Sequence, residues 1–203
     1  MALSRGHQVI CCDRNRRGGL KNVWLIESDK LTGPVTFNAA GQITSFPTSN
    51  AYQFDFDRGT GGFSANASRE NGSTIITVEL EFYIPKVTGA VNTNLDELAR
   101  SCGLFAIVES YADDCGDPTA DPAVPASTYF FVLGYDEIFE STAYMEFASG
   151  EMTSGVGLQD ASGTLVKLSG EQGEYPCELD MSNVSMTDPT TGSGTYTDAW
   201  VIT

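Results

Sequence analysis

His7, Cys11 and Cys12 put an imidazole and two adjacent thiols into one short segment, followed at once by Asp13-Arg14-Asn15-Arg16-Arg17-Gly18-Gly19. Nitrogen and sulfur donors in close succession are the ingredients of a zinc site. The spacing does not make one. The cysteines are adjacent, no C-x-x-C pair occurs in the chain, and a fourth ligand would have to come from far away. His7 is also the only histidine. Every Ser-His-Asp or Cys-His arrangement would depend on it, and such chemistry needs the ring held within hydrogen-bond reach of a nucleophile. The segment around His7 has no periodicity that would build such a scaffold. It reads as a basic arm carrying two unlinked thiols.

A second concentration of chemistry is Asp113, Asp114, Asp117 and Asp121 in D-D-C-G-D-P-T-A-D. Four carboxylates raise the question of calcium, but an EF-hand loop alternates its ligands and sets glycine after the third. Here the pattern fits a solvated acidic loop. Gly18-Gly19 and Gly59-Thr60-Gly61-Gly62 match neither G-x-x-x-x-G-K-[ST] nor G-x-G-x-x-G, so no phosphate cradle is predicted. The 27 carboxylates offer many pairs for glycosidase chemistry, yet no local motif selects one, and two tryptophans are few for stacking sugars. The expectation is a non-enzymatic protein with no cofactor, no metal and no catalytic residues.

Charge narrows the partners. The chain of 203 residues carries a formal charge of -16. Residues 1–21 hold five of the 11 bases (Arg5, Arg14, Arg16, Arg17, Lys21) against Asp13 alone, while from Ser101 onward Lys167 is the only base among 17 acids. So acidic a body repels a polyanion such as DNA, and equally an anionic membrane. No apolar run approaches the roughly 18 residues of a membrane span. The first residues, MALSRGHQVICC, lack the apolar core of a secretory signal. Five cysteines, an odd number, agree with a protein made and kept in the cytoplasm.

Positioning such residues falls mainly to strands. Residues 1–20 form the basic arm. Residues 22–26 read as a first strand, and 35–37 with 42–44 as a hairpin turning at Gly41. Residues 52–57 alternate, with Tyr52, Phe54 and Phe56 on one face. Residues 58–73 read as a polar, glycine-rich loop ending in the turn signal Asn71-Gly72. Residues 74–84 give the clearest strand. Ile76, Val78, Leu80, Phe82 and Ile84 share a face, Thr77, Glu79, Glu81 and Tyr83 the other, and Pro85 stops it. One helix is predicted over 95–100, capped by Asn94 with Glu97 completing a capping-box pair, and with Leu95, Leu98 and Ala99 as its apolar stripe.

Residues 104–108 and 129–133 are continuous apolar runs expected to be buried strands of one hairpin. The acidic, proline-bearing segment 110–128 extends its loop. Further strands are predicted at 142–147, 164–168 and 199–202, with a turn at 160–163. The sum is a single mainly β domain over 21–203, an antiparallel β-sandwich or barrel of about nine to eleven strands with one short helix.

The order of these segments resembles a known family. GGLKNVWLI (18–26), VTF (35–37), GQIT (41–44) and YQFDF (52–56) come first, then Asn71-Gly72 before the long strand ending in Pro85-Lys86. The helix, the strand at 104–109, FVLG (131–134), TSG (153–155) and LVKLSGE (165–171) follow. In that order they are similar to virion structural proteins of tailed phages, especially those infecting Bacteroidetes bacteria, whose members are similar to tail tube proteins. The resemblance covers about residues 18–180. Two departures, the extension at 110–128 and the longer tail after 180, fit a decorated tube or a relative such as an initiator or neck ring.

The resemblance implies a self-assembling subunit whose sandwich lines a ring, usually hexameric, with rings stacked head to tail. Its implied partners are copies of itself, other virion tail proteins, and DNA as passing cargo that does not stick. The implied location is the virion tail, assembled in the host cytoplasm, with no membrane partner. The arm and residues 58–73 are the expected inter-ring contacts, with Arg14, Arg16, Arg17, Phe63 and Arg69 as candidate interface residues. Two other readings stand beside this one. The same sandwich could serve as a capsid decoration, neck or baseplate protein, or as a carbohydrate- or metal-binding module or hydrolase.

Overall fold

The computed structural model describes residues 18–31, 33–47, 49–70, 72–86, 88–113, 128–140, 142–155, 162–187 and 200–202. Within them the chain forms β1 (Leu20–Glu27), a 3-10 turn (Ser28–Lys30), β2 (Thr36–Phe37), β3 (Ile43–Ser45), β4 (Ser49–Phe54), β5 (Gly62–Glu70) and β6 (Ser73–Pro85). Then follow α1 (Gly89–Arg100), β7 (Leu104–Asp113), β8 (Thr128–Leu133), β9 (Met145–Thr153), β10 (Gly163–Gln172), β11 (Cys177–Glu178), β12 (Met186–Thr187) and β13 (Trp200–Ile202). All ladders between these strands are antiparallel. The protein is mainly β, as its alternating patterns and single short helix predict.

One sheet runs β12-β13-β4-β1-β7-β9-β10-β6-β5, with β8 pairing β7 and β11 pairing β8, while β2 and β3 form a separate hairpin. The sheet does not close, so of the two predicted forms the barrel is excluded and the layered, sandwich-like one stands. Two apolar cores share β1 and β7. Val23 and Leu25 of β1 and Leu104, Ala106 and Val108 of β7 pack against β6, β10 and the helix residues Leu95 and Leu98. Trp24 and Ile26, with Phe105 and Ile107, face a second core containing Val35, Ile43, Phe46, Leu179, Val184 and Ile202. Successive strand residues point to opposite faces. A strand covered on both sides therefore reads as an unbroken apolar run, which is why VWLI and LFAIV do not alternate.

The hairpin at β2-β3 turns as predicted. Gly41 has φ +81°, and the Asn38 side chain accepts from the amides of Ala40 and Gln42 at 2.9 and 3.0 Å. β6 buries Ile76, Val78, Leu80, Phe82 and Ile84 along one face and ends at Pro85.

Several expectations are corrected. Residues 62–70, read as loop, are the strand β5, in register with β6 from Gly62↔Glu81 to Glu70↔Ser73. Only two residues then separate the strands, and Gly72 takes φ +87°, a value that tight hairpin turns require and glycine adopts without strain. The helix starts at Gly89, not Leu95. The Thr88 hydroxyl caps it by accepting from Val91 N at 3.3 Å, and Asn94 lies inside it. Leu95 and Leu98 are buried as expected, whereas Ala99 is exposed and Val91 packs on the core instead.

β7 continues to Asp113, so residues 110–113 belong to the hairpin rather than to its loop. β4 begins at Ser49 and ends at Phe54. It buries Ala51 in the second core, and Tyr52 is 42% exposed. β9 starts at Met145 rather than Thr142 and runs to Thr153. Thirteen strands are described rather than nine to eleven. The additional ones include the two-residue β11 and β12, too short to leave a periodic trace. Of the predicted turn at 160–163, Gly163 opens β10 and Asp160 and Ala161 lie outside the described residues.

Candidate functional site

Four neighbouring strands, β9-β10-β6-β5, present one face to the first core and the other to solvent. The side chains that alternate outward are mostly polar, with Ile75, Tyr83 and Leu165 as half-buried exceptions. β6 contributes Thr77, Glu79 and Glu81, β10 contributes Lys167, Ser169 and Glu171, β9 contributes Glu146, Ser149 and Glu151, and β5 contributes Ser64 and Asn66. Registers Lys167↔Glu81, Ser169↔Glu79 and Lys167↔Ser149 bring these positions side by side. A bulge at Lys167/Leu168 keeps Met145 and Phe147 on the core side and Glu151 outside. Five glutamates thus share this face with one lysine.

Lys167 Nζ lies 2.7 Å from Glu81 Oε2, with both side chains about half exposed. The hydrogen bond and charge of Glu81, joined by the charges of Glu79 and Glu151, hold the Lys167 ammonium above its ordinary pKa. Such an exposed pair contributes little to stability. Its effect is to leave a net negative surface with its one cation already engaged. Around it lies a shallow depression of about 390 Å³ lined by Gly62, Ser64, Glu79, Glu81, Lys167 and Ser169.

Among the described residues, the same four strands are sparsely partnered at their two sides. There β5 pairs only with β6. β9 pairs along its length with β10, and on its other side touches β7 only through Leu104↔Met145. Among the described residues, positions 147–153 of β9 and all of β5 therefore present backbone donors and acceptors without a strand beside them. Unpaired edges are templates for another chain.

The predicted interface residues are separated by the fold. Phe63 sits on β5 half-buried against the first core, its ring 5.7 Å from that of Phe131. Arg69 is exposed near the end of the same strand, opposite Thr74. Arg14, Arg16 and Arg17 lie outside the described residues, as do His7, Cys11, Cys12, Cys115, Asp114, Asp117 and Asp121. Among the described residues no group of three or more His, Cys, Asp or Glu side chains could hold a metal ion.

Lys21, counted above with the basic segment, is engaged in the body. Its Nζ lies 2.5 Å from Glu109 Oε1, and Asn22 Nδ2 and Thr128 Oγ1 also donate to Glu109, at 2.5 and 3.3 Å. Glu109 is only 5% exposed. Its continuous apolar neighbours in the sequence gave no sign that it would be buried and paired.

Two free thiols are described, Cys102 exposed and Cys177 buried. Burial, with the charges of Glu174, Asp136 and Glu137, pushes the Cys177 thiol up from 9.0 to about 11. In the unfolded chain the same thiol ionises near 9, so its neutral form stabilises the fold below pH 9. That contribution is lost as pH rises through the window from 9 to about 11. Iodoacetamide at pH 8 is expected to label Cys102 in the native protein and Cys177 only after unfolding, as read by peptide mapping. Equal labelling of both would contradict the burial of Cys177. No family model, curated protein or solved structure matches the chain.

Proposed function

We propose that the protein is a structural subunit that assembles with itself into stacked rings of a phage tail tube, conducting DNA without binding it. The observation that carries this reading is the β9-β10-β6-β5 group of strands, acidic on its outer face and, among the described residues, without a strand beside β5 or beside 147–153 of β9. Four strands in antiparallel order are an even number. Setting β5 of one copy beside β9 of the next therefore continues the antiparallel alternation from copy to copy. Backbone hydrogen bonds then supply the joining interaction, as in strand addition, and a ring needs no further edge. With the polar face turned inward, Glu79, Glu81, Glu146, Glu151 and Glu171 line the channel and repel the phosphate backbone. The segment order that resembles tail tube proteins supports the same reading, and hexameric rings are the form it implies.

Electron microscopy of the purified protein tests the assembly. Rings or tubes with a mainly acidic lumen are expected. Monomers at every concentration, or a lumen dominated by lysine and arginine, would overturn the proposal. Monomers whose melting temperature rises with Ca²⁺ or sugars would favour a binding module instead. A charge-reversed variant, Glu79→Lys/Glu81→Lys/Glu151→Lys, probes the lumen. It is expected to keep ring formation and to gain DNA retention that weakens steeply with salt, measured by filter binding. Retention equal to that of the unaltered protein would remove the electrostatic part of the proposal.

A further inference from the structure

Asp136 is completely buried, yet the turn it organises pushes apolar side chains into solvent. Its Oδ1 accepts from the amides of Ile138 and Phe139 at 2.8 and 2.6 Å, and its Oδ2 from the amide of Gly173 at 2.7 Å. One carboxylate so ties the turn at 136–140 to the end of β10 by charge-assisted hydrogen bonds. The side chains on this fixed frame are Ile138, 59% exposed, and Phe139, 40% exposed, with Tyr175 just beyond Gly173 at 60%. Ile138 lies across Gly173, where a Cβ would meet its side chain at 3.1 Å. Glu137, Glu140 and Glu174 interleave with them in sequence and reach solvent. Rigid, exposed apolar side chains rimmed by acids match a ligand that is apolar and basic.

The chain carries such a segment. Residues 1–17 contain Val9 and Ile10 beside Arg5, Arg14, Arg16 and Arg17, with Asp13 as the only acid. The segment joins the body at Gly19, whose carbonyl accepts from Tyr111 N at 3.1 Å, and Leu20, whose amide donates to Gly61 O at 3.0 Å. That is the Leu20↔Ser110 end of the β1-β7 ladder. The turn at 136–140 lies at the other end. There a Cβ on Gly134 (φ +84°) would sit 2.9 Å from Leu104 O, and Tyr144 lies against Gly103. Eight residues of β1 separate the two by about 26 Å. Seventeen residues span up to ~56 Å, enough to reach a neighbour.

We infer that residues 1–17 of one copy dock on the Ile138, Phe139 and Tyr175 surface of the next copy. The inference rests on the self-assembly reading above and specifies its axial contact. Donor and acceptor lie at opposite ends of the molecule, so the contact is head-to-tail and repeats from copy to copy. Arginines pair with Glu137, Glu140 and Glu174, and the apolar residues of the arm cover Ile138 and Tyr175.

Benzoylphenylalanine placed at Tyr175 in the full chain tests this. A mixture of ¹⁴N and ¹⁵N protein is irradiated, digested and mapped by mass spectrometry. Cross-links to peptides from residues 1–17, joining light to heavy copies, are expected. Glu137→Lys/Glu140→Lys/Glu174→Lys should lower their yield about tenfold, and adding Arg14→Glu/Arg16→Glu/Arg17→Glu in the same chain should restore it. Cross-links to the arm of the same copy, to the 136–140 turn of a second copy, or to any other segment overturn the inference. Rings seen by microscopy in that same sample would leave the assembly reading intact, whereas a sample with neither cross-links nor rings loses both.

Discussion

Replacing Phe82 with alanine is expected to lower the free energy of unfolding by about 3–5 kcal/mol. Phe82 is fully buried in the last third of β6. Its ring centroid lies 5.9 Å from that of Phe54 and 5.9 Å from that of Phe56. These rings come from β4 and the segment after it, so Phe82 ties the long strand to a distant part of the sheet. The site cannot collapse to fill the gap. Val166 is held opposite by the β10 ladder, and Phe56 is confined by Gly61, where even a Cβ would approach its ring to 2.5 Å. Urea titration should show a lower midpoint at an unchanged slope. Phe82→Leu, which keeps most of the volume, should cost less than about 1.5 kcal/mol. An alanine variant as stable as the leucine variant would show that this aromatic cluster does not hold the sheet.

Asp136→Ala comes second, at about 2–4 kcal/mol. The loss follows from stranding three amide donors beside a buried site, each of which costs about 1–3 kcal/mol when left without an acceptor and out of reach of water. Ile138 and Phe139 are partly exposed, so water recovers some of that loss, which sets the figure below the sum. Asp136→Asn separates the contributions. One carboxamide oxygen can still serve Ile138 and Phe139, but the NH2 group that replaces Oδ2 cannot accept from Gly173. The expected order of stability is wild type, then Asn, then Ala. Amide exchange at 138, 139 and 173 should accelerate in the alanine variant before exchange elsewhere in β10. An Asn variant weaker than Ala would contradict this division of roles.

The strands that carry the cores were legible in the sequence, and the reasons differ. β6 is legible because one of its faces is wet, so apolar and polar residues alternate. β1 and β7 are legible as buried strands because both faces are covered, but their unbroken apolar runs carry no mark of which residue joins which core. β5 was missed because Ser64, Ala65, Asn66, Ala67 and Ser68 are small and mostly polar. Its backbone ladder with β6 holds it in place more than its side chains do. The helix start was misplaced because Asn94 and Glu97 imitate a cap, while Val91 packing on the core draws Gly89 and Asn92 into helix against their propensities. The acids of β6 could be placed on one face from spacing alone. That Glu146, Glu151, Glu171 and Lys167 share that face depends on the register of three strands and one bulge, which no local spacing encodes.

The strand order has a consequence for synthesis. β4 is among the first strands to leave the ribosome, yet it lies between β1 and β13. Its pairing with Trp200–Ile202 must wait until those residues have been translated, about 150 residues later. β1 likewise has no partner on its other side until β7 is made. Throughout elongation the nascent chain therefore exposes open hydrogen-bonding edges beside apolar residues of the second core, such as Trp24 and Ala51. A ribosome that stops before residue 200 releases a chain with that edge uncovered, open to aggregation and to proteases. The β4 edge is thus covered late, only once residues 200–202 have been made.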